Sequence, residues 1–300
     1  MSISQHKLKI EGLYTAIITP FTKSGEVDYD AFKRLLKMQA DGGVAGVVVC
    51  GTTGESPTVT DDEFSKLLEI AVQVSNGKMQ VIAGTGTNST DKTITKSRLA
   101  QKHGAEALLI ASPYYNKPSQ AGLLAHFRAV ADATDLPIIV YNVPGRTAVN
   151  IETPTLKQLM DHPNIVAVKE ASGSINQIMD VIEAADNDFA VLSGDDAITL
   201  PMIAAGGKGV ISVISNEAPK RFNEMVQFAL KGDIAKAREI HYELLPLMKA
   251  NFWESNPTIV KLALHKMGMI EEVLRLPLVP AGEEHNEPLR KLLQSLKLLP

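Results

Sequence analysis

Short runs of apolar, β-rich residues return along this chain at near-regular intervals, and helix-patterned stretches fill the gaps. The runs are Leu13 to Phe21, Val44 to Gly51, Gln80 to Gly86, Ala107 to Pro113, Pro137 to Pro144, Ile165 to Ser172, Phe189 to Asp195 and Gly209 to Ser215. Such short runs, bounded by turn residues, suit strands buried on both faces. Asp28 to Asp41, Thr60 to Ser75 and Thr90 to His103 carry helical periodicity. Asp61, Asp91 and Thr155 suit helix starts, and Gly77 and Gly104 follow the expected ends. Strand–helix units recurring at about 20–36 residues predict a (β/α)8 barrel of the α/β class. An open doubly wound sheet is the competing architecture. It usually has fewer strands and a glycine-rich phosphate or dinucleotide loop. Gly84-Thr85-Gly86-Thr87-Asn88 is the nearest match here and lacks the third glycine.

Beyond the eighth run the pattern is helical. Lys220 to Leu230 is expected to close the barrel, with Ala235 to Ala250, Pro257 to Met267 and Pro288 to Leu298 as additional helices. This divides the chain into a barrel, residues 1–232, and a C-terminal helical subdomain, residues 233–300, with a soft boundary at Gly232-Asp233. The 300 residues, 45% hydrophobic and 21% charged, suit a soluble globular protein with a sizeable core. A net charge of -4 gives no electrostatic case for nucleic acid or an anionic membrane. The single cysteine, Cys50, cannot form an intrachain disulfide, which suits a reducing compartment. The polar stretch Met1 to Lys9 lacks the apolar segment of a secretory signal, and no run has the length of a membrane span. A cytoplasmic location is expected.

One charge interrupts this apolar pattern. Lys169 stands at the end of Ile165-Val166-Ala167-Val168, a run built for burial. An ammonium there is costly unless paired or used. Desolvation lowers the pKa of such a lysine, and a neutral amine is the nucleophile that forms a Schiff base with a ketone. The competing account is a buried stem whose head reaches water or an acid. Glu170 is the next residue on the strand and points to the opposite face, so it is not expected to be that acid.

In a (β/α)8 barrel the chemistry lies at the C-terminal ends of the strands. Polar residues collect there: Gly51-Thr52-Thr53-Gly54-Glu55, Pro113-Tyr114-Tyr115-Asn116, Tyr141-Asn142-Val143-Pro144-Gly145-Arg146-Thr147, Lys169-Glu170 and Ser193-Gly194-Asp195-Asp196. The Gly51 to Gly54 turn offers hydroxyls and free N–H groups for a small anion, or it is an ordinary loop with capping threonines. Tyr141 and Tyr115 can move protons or pack with one hydrogen bond each. Arg146 can clamp a carboxylate or make a surface ion pair. The histidines are scattered, with no metal-binding spacing, and Asp195-Asp196 reads more naturally as a turn or helix start than as a cation site. Cys50 reads as a small buried residue, and Trp253 as core or interface. Pyridoxal phosphate would also need a lysine, but Gly206-Gly207-Lys208-Gly209 precedes the eighth run, at the wrong pole for its phosphate. No metal and no organic cofactor is expected.

The motifs Gly51-Thr52-Thr53-Gly54-Glu55, Tyr141-Asn142-Val143-Pro144-Gly145-Arg146-Thr147 and Val168-Lys169-Glu170 resemble those of the dihydrodipicolinate synthase (4-hydroxy-tetrahydrodipicolinate synthase) family. This family lies within the pyruvate-dependent class I aldolase and N-acetylneuraminate lyase superfamily. The likeness extends through Ser193-Gly194-Asp195-Asp196, Gly209-Val210-Ile211-Ser212 and the helical tail. It implies a lyase that condenses pyruvate with L-aspartate 4-semialdehyde at the first committed step of diaminopimelate and lysine biosynthesis. It implies that Lys169 forms the Schiff base, that Thr52 and Thr53 hold the pyruvate carboxylate, and that Arg146 holds the carboxylate of the semialdehyde. Tyr141 would transfer protons through the Thr53 hydroxyl to Tyr115, a residue that in the family reaches a neighbouring subunit's site. Gly194 and Ile211 would line the pocket. A homo-oligomer follows, either a dimer or a dimer-of-dimers tetramer.

The resemblance also implies a difference in regulation. Many family members are inhibited by free lysine at a dimer-interface pocket, which Ser56, Asn88 and Tyr114 match. Asp61 and Phe64 stand where sensitive members have histidines, and Lys92 where they have a glutamate. A cation at that position repels the inhibitor's ammonium group, so weak or absent inhibition is expected. Two other functions compete. A lyase for keto-sugar acids shares the lysine but typically lacks the arginine at position 146. A non-catalytic keto-acid sensor would not need Lys169, Tyr141, Tyr115, Thr53 and Arg146 together.

Overall fold

A computed structural model describes residues 8–299. Residues 1–7 of the polar N-terminal stretch, His6 among them, lie outside the described residues. The strands β1 (Gly12–Ala16), β2 (Gly46–Val49), β3 (Gln80–Gly84), β4 (Ala107–Ala111), β5 (Ile138–Asn142), β6 (Ile165–Glu170), β7 (Ala190–Ser193) and β8 (Gly209–Ser212) form a closed parallel barrel in chain order. The expected (β/α)8 architecture is therefore the observed one. Helices alternate with the strands and ring the barrel. The strands end earlier than the apolar runs predict, because the runs continue into the loops at the C-terminal pole. Ile17 and Ile18, for example, are buried outside the strand.

Local signals account for the helix starts. Thr60 caps the helix Asp61–Ser75 in a reciprocal box with Glu63, and Asp28 and Ser89 cap Tyr29–Asp41 and Thr90–Lys102 through their side chains. The helices Gln120–Asp132, Thr153–Met160, Ile175–Ala184 and Thr199–Ala204 fill the remaining gaps between strands.

Two apolar layers follow from strand alternation. Val48, Ile82, Leu109, Ile139, Tyr141, Leu192 and Ile211 point inward and fill the barrel. Val47, Val49, Leu108, Ile110, Ile138, Val140 and Val168 join the larger cluster under the surrounding helices. β6 carries an irregularity that places Lys169. Its register with β5 shifts between Ile138 and Ile139, which pair with Ile165 and Ala167, so Val166 is the extra residue. Beyond it Ala167 and Lys169 share the inward face, while Val168 and Glu170 turn outward.

The helix Pro219–Leu230 packs against β1 and the first helix. Asp233 caps Ile234–Ala250, and Thr258–Lys266 and Asn286–Ser295 follow. The segment 251–256 joins the first two of these last three helices and lies over the C-terminal mouth of the barrel. No helix among the described residues is long and apolar enough to cross a membrane.

Candidate active site

A cavity of about 610 Å³ opens at the C-terminal pole. Lys169 stands at its floor and is 5% exposed. It pairs with Tyr141 across the β5–β6 register, and its Nζ lies 4.3 Å from the centre of that ring. Burial lowers the amine from 10.5 to about 8; the Asp196 carboxylate opposes that fall, and Arg146 adds to it. Burial pushes the Tyr141 phenol up to about 12, against the Arg146 charge and a hydrogen bond from the Thr52 side chain. At neutral pH the phenol is thus a neutral donor, while the amine is neutral far more often than an exposed lysine.

The turn after β2 supplies the wall beside Tyr141. Cys50 and Glu55 adopt left-handed backbone angles, φ 54° and 52°, and between them Gly54 N donates to Gly51 O at 3.1 Å. Gly84 admits this tight exit, since a Cβ there would sit 2.2 Å from Cys50 O. Cys50 itself is buried and its thiol is pushed up to about 12 by burial, as an inert packing residue requires. Thr52 and Thr53 line the cavity, and the Thr53 hydroxyl accepts a hydrogen bond from Asn256 Nδ2 at 2.9 Å. Arg146 lines the opposite rim from the one-turn helix Pro144–Thr147.

β7 reaches the lysine with bare backbone. A Cβ on Gly194 would stand 2.7 Å from Ala171 Cβ and 3.1 Å from Lys169 Cε. Asp195 starts a short turn of helix by accepting from Ala197 N at 2.9 Å, which is the turn role anticipated for the Asp-Asp pair. Asp196 is buried behind it, and its Oδ2 accepts from Val213 N and Ile214 N at 3.0 and 2.8 Å. Burial raises its carboxyl to about 6 even so. Burial and the Asp196 charge raise the neighbouring Glu217 well above the ordinary range. Glu170 faces outward, as alternation requires, and accepts from Ser172 N and Asn142 Nδ2 at 2.6 and 3.0 Å.

The cavity thus gathers Lys169, Tyr141, Thr52, Thr53, Arg146 and Gly194. Two predicted site residues stand apart from it. Ile211 is buried on the inward face of β8, and Val213, two residues on, lines the cavity instead. Tyr115 is 88% exposed at φ 73° and does not line the cavity within one chain. The Thr53 hydroxyl meets Asn256, where a link between the two tyrosines was expected. Trp253 is not in the core. It is 42% exposed, stacks on His285 with ring centres 5.5 Å apart, and lines the cavity with Phe252 and Asn256. Sequence reasoning missed Asn256 as a neighbour of the site, and placed Asp196 at this pole without its part behind the lysine. The only available signal was the polar and aromatic break Asn251-Phe252-Trp253-Glu254-Ser255-Asn256 between two helical stretches.

A second cavity, of about 770 Å³, adjoins the first and shares Thr52, Arg146 and Asn256 with it. Ser56, Asp61, Lys92, Lys96 and Tyr114 line it. Phe64 is fully buried beneath, with Lys96 Nζ 4.7 Å from its ring centre. Among the described residues no group of three or more His, Cys, Asp or Glu is placed to hold a metal ion.

A closed parallel barrel with a buried, partly neutral lysine at the end of its sixth strand defines a class of protein built for amine chemistry on a carbonyl. Comparison with known proteins narrows that class. Residues 9–296 match the model of the dihydrodipicolinate synthetase family, and the chain belongs to that family. It is 52% identical over 290 residues to the 4-hydroxy-tetrahydrodipicolinate synthase of Methanocaldococcus jannaschii, spanning 96% of this chain and 99% of that one. The solved dihydrodipicolinate synthase of Thermotoga maritima superposes with a TM-score of 0.95 at 48% identity, covering 96% of this chain and 99% of that one. A solved monomeric dihydrodipicolinate synthase variant gives a TM-score of 0.95 at 47% identity, covering 96% and 97%.

Proposed function

We propose that this protein is a 4-hydroxy-tetrahydrodipicolinate synthase, a lyase that condenses pyruvate with L-aspartate 4-semialdehyde through a Schiff base on Lys169. The observation that carries this reading is the lysine itself, buried against Tyr141 with its amine lowered to about 8. The family and its relatives supply the substrates.

The site chemistry follows in balanced steps. The neutral Lys169 amine adds to the pyruvate carbonyl carbon, and the carbinolamine oxygen leaves as water once protonated. The resulting iminium draws electrons from the methyl group, which loses a proton to give an enamine. Tyr141, neutral and adjacent, is the group to move these protons. Thr52 and Thr53 hold the pyruvate carboxylate with the turn's N–H groups. The Asp196 carboxylate offsets the positive charge that Lys169 carries as ammonium or iminium. The enamine carbon then attacks the aldehyde carbon, forming the new C–C bond, while Arg146 holds the second carboxylate. The substrate amine adds to the imine carbon, closes the ring and displaces Lys169 as free amine.

Tyr115 belongs to the same reading through a second copy of the chain. A phenol that is 88% exposed on a left-handed backbone is poised to enter a neighbour's cavity, so a homo-oligomer with a dimer as the catalytic unit is proposed. Incubation with pyruvate and borohydride tests the central claim. The expected outcome is a reduced adduct at Lys169 by peptide mass, together with turnover of aspartate semialdehyde and not of keto-sugar acids. An unmodified Lys169 would remove the reading.

A further inference from the structure

The turn that carries Thr52 and Thr53 is held from outside the barrel. Asn256 Nδ2 donates to the Thr53 hydroxyl at 2.9 Å. That bond occupies an oxygen lone pair and leaves the hydroxyl proton free to point into the cavity. Two residues past Thr53, Glu55 is buried at φ 52° and ion-paired to Lys261. Lys261 is fully buried, donates to Val273 O at 2.9 Å and lies 4.1 Å from the centre of the Phe21 ring. Glu55 also accepts from Arg275 N at 3.1 Å, and the Arg275 side chain reaches Thr58 O at 2.7 Å and Glu63 Oε2 at 2.7 Å. Thr53 and Glu55 of the catalytic turn are therefore both fastened by one C-terminal stretch, residues 256–275.

A fully buried lysine–glutamate pair is an expensive way to hold a loop, because two desolvated charges gain little over apolar packing. What such a pair does supply is a single geometry, since removing either partner leaves an unpaired charge. Here that geometry sets the backbone angle of Glu55 and hence the direction of the Thr52 and Thr53 hydroxyls. No charge in the network reaches the cavity floor, where Lys169 stands.

We infer that Asn256 and the Lys261–Glu55 pair are positioning residues for the carboxylate-binding turn, so that the pyruvate site is built jointly by the barrel and the C-terminal helices. The inference rests on the proposed pyruvate chemistry.

Two variants test it. Asn256→Asp replaces the donor to Thr53 by an acceptor of the same shape. The double variant Glu55→Gln with Lys261→Met removes both charges at once and leaves neither unpaired. Each is expected to raise the pyruvate KM about threefold to tenfold, the effect of one misplaced hydrogen bond. kcat at saturating pyruvate and the borohydride adduct at Lys169 are expected to stay near wild-type values. Restoring the amide at a shifted position, with Asn256→Gln, is expected to recover part of the affinity. Folded variants with an unchanged pyruvate KM, or with kcat reduced at an unchanged KM, would overturn the inference. If the double variant fails to fold, the Asn256→Asp result decides alone. A wild-type protein that forms no adduct overturns the pyruvate reading itself, whereas a wild-type adduct with unchanged variant KM values overturns only the positioning role.

Discussion

Lys169 and Tyr141 sit opposite each other on neighbouring parallel strands, with the lysine nitrogen 4.3 Å from the centre of the phenol ring. The ring excludes water from one side of the amine, while burial keeps its hydroxyl protonated. One aromatic side chain thus serves two purposes: it helps to lower the lysine pKa by desolvation, and it keeps a neutral donor beside the carbon that the amine attacks.

The first consequence is a pH profile. Imine formation needs the neutral amine, so the rate of adduct trapping should rise with pH through about 8 and then level off, instead of rising toward 10.5. The Asp196 charge holds that value up. Asp196→Asn should therefore move the midpoint to lower pH. A stopped trapping assay across the pH range measures both, and a midpoint that stays in place in the variant would show that Asp196 does not act on the amine.

The same lowering costs stability. Below about pH 8 the folded chain carries a buried ammonium at this position. Between about 8 and 10.5 only the unfolded chain binds that proton, so this group's contribution to stability rises with pH across that window. Lys169→Met should abolish the adduct and melt at a higher temperature at neutral pH, by an increment on the order of 2 kcal/mol. Denaturant titrations of both proteins at neutral and high pH check the sign: the gap should narrow as pH rises.

Arg146 should act mainly on the second substrate. A charge-assisted contact to a carboxylate is worth about 1.5–3 kcal/mol, so Arg146→Ala should lower kcat/KM for aspartate semialdehyde by about tenfold or more. Pyruvate trapping should be preserved, with its midpoint moved to higher pH because Arg146 also helps to lower the Lys169 amine. Lysine at this position should restore little, because it lacks the planar fork. Steady-state kinetics with each substrate varied in turn separates the two effects.

Tyr141→Phe keeps the ring that covers Lys169 and removes the donor. The adduct should still form, more slowly, and overall turnover should fall by about 100-fold, within the range for a lost general acid–base. Equal losses in Tyr141→Phe and Tyr141→Ala would assign the effect to the hydroxyl and not to desolvation.

Much of this arrangement was legible in the sequence, for physical reasons that differ from part to part. Buried parallel strands need apolar runs and parallel connections need helices, so the barrel is written as a period. Lys169 stood out because a charge violates that period. Val166 did not: an extra residue in a strand looks like any other apolar residue, although it decides which face Lys169 takes. Asn256, and the part that Asp196 plays beside Lys169, were illegible for another reason. Their partners, Thr53 and the amides of Val213 and Ile214, are remote in sequence or belong to the backbone. Trp253 reads from sequence as core or interface, and it lies at the rim where the last helices cross the barrel mouth.

The cavity next to the active site carries the last prediction. Lys92, Lys96 and Arg146 line it together with Ser56, Tyr114 and two carboxylates, Asp61 and the Glu55 that is paired to Lys261. Free lysine would bring its own ammonium groups into this space, where three cations face them. With like charges the approach is unfavourable unless the protein carboxylates outnumber its amines. Sub-millimolar lysine should leave the rate of the wild-type protein unchanged, and isothermal titration should detect no binding in that range. Lys92→Glu reverses the balance to three carboxylates against Lys96 and Arg146 and should make the cavity receptive, with lysine binding appearing at lower concentrations than in the wild type. Inhibition of the wild-type protein by sub-millimolar lysine would mean that the ligand's ammonium does not approach position 92.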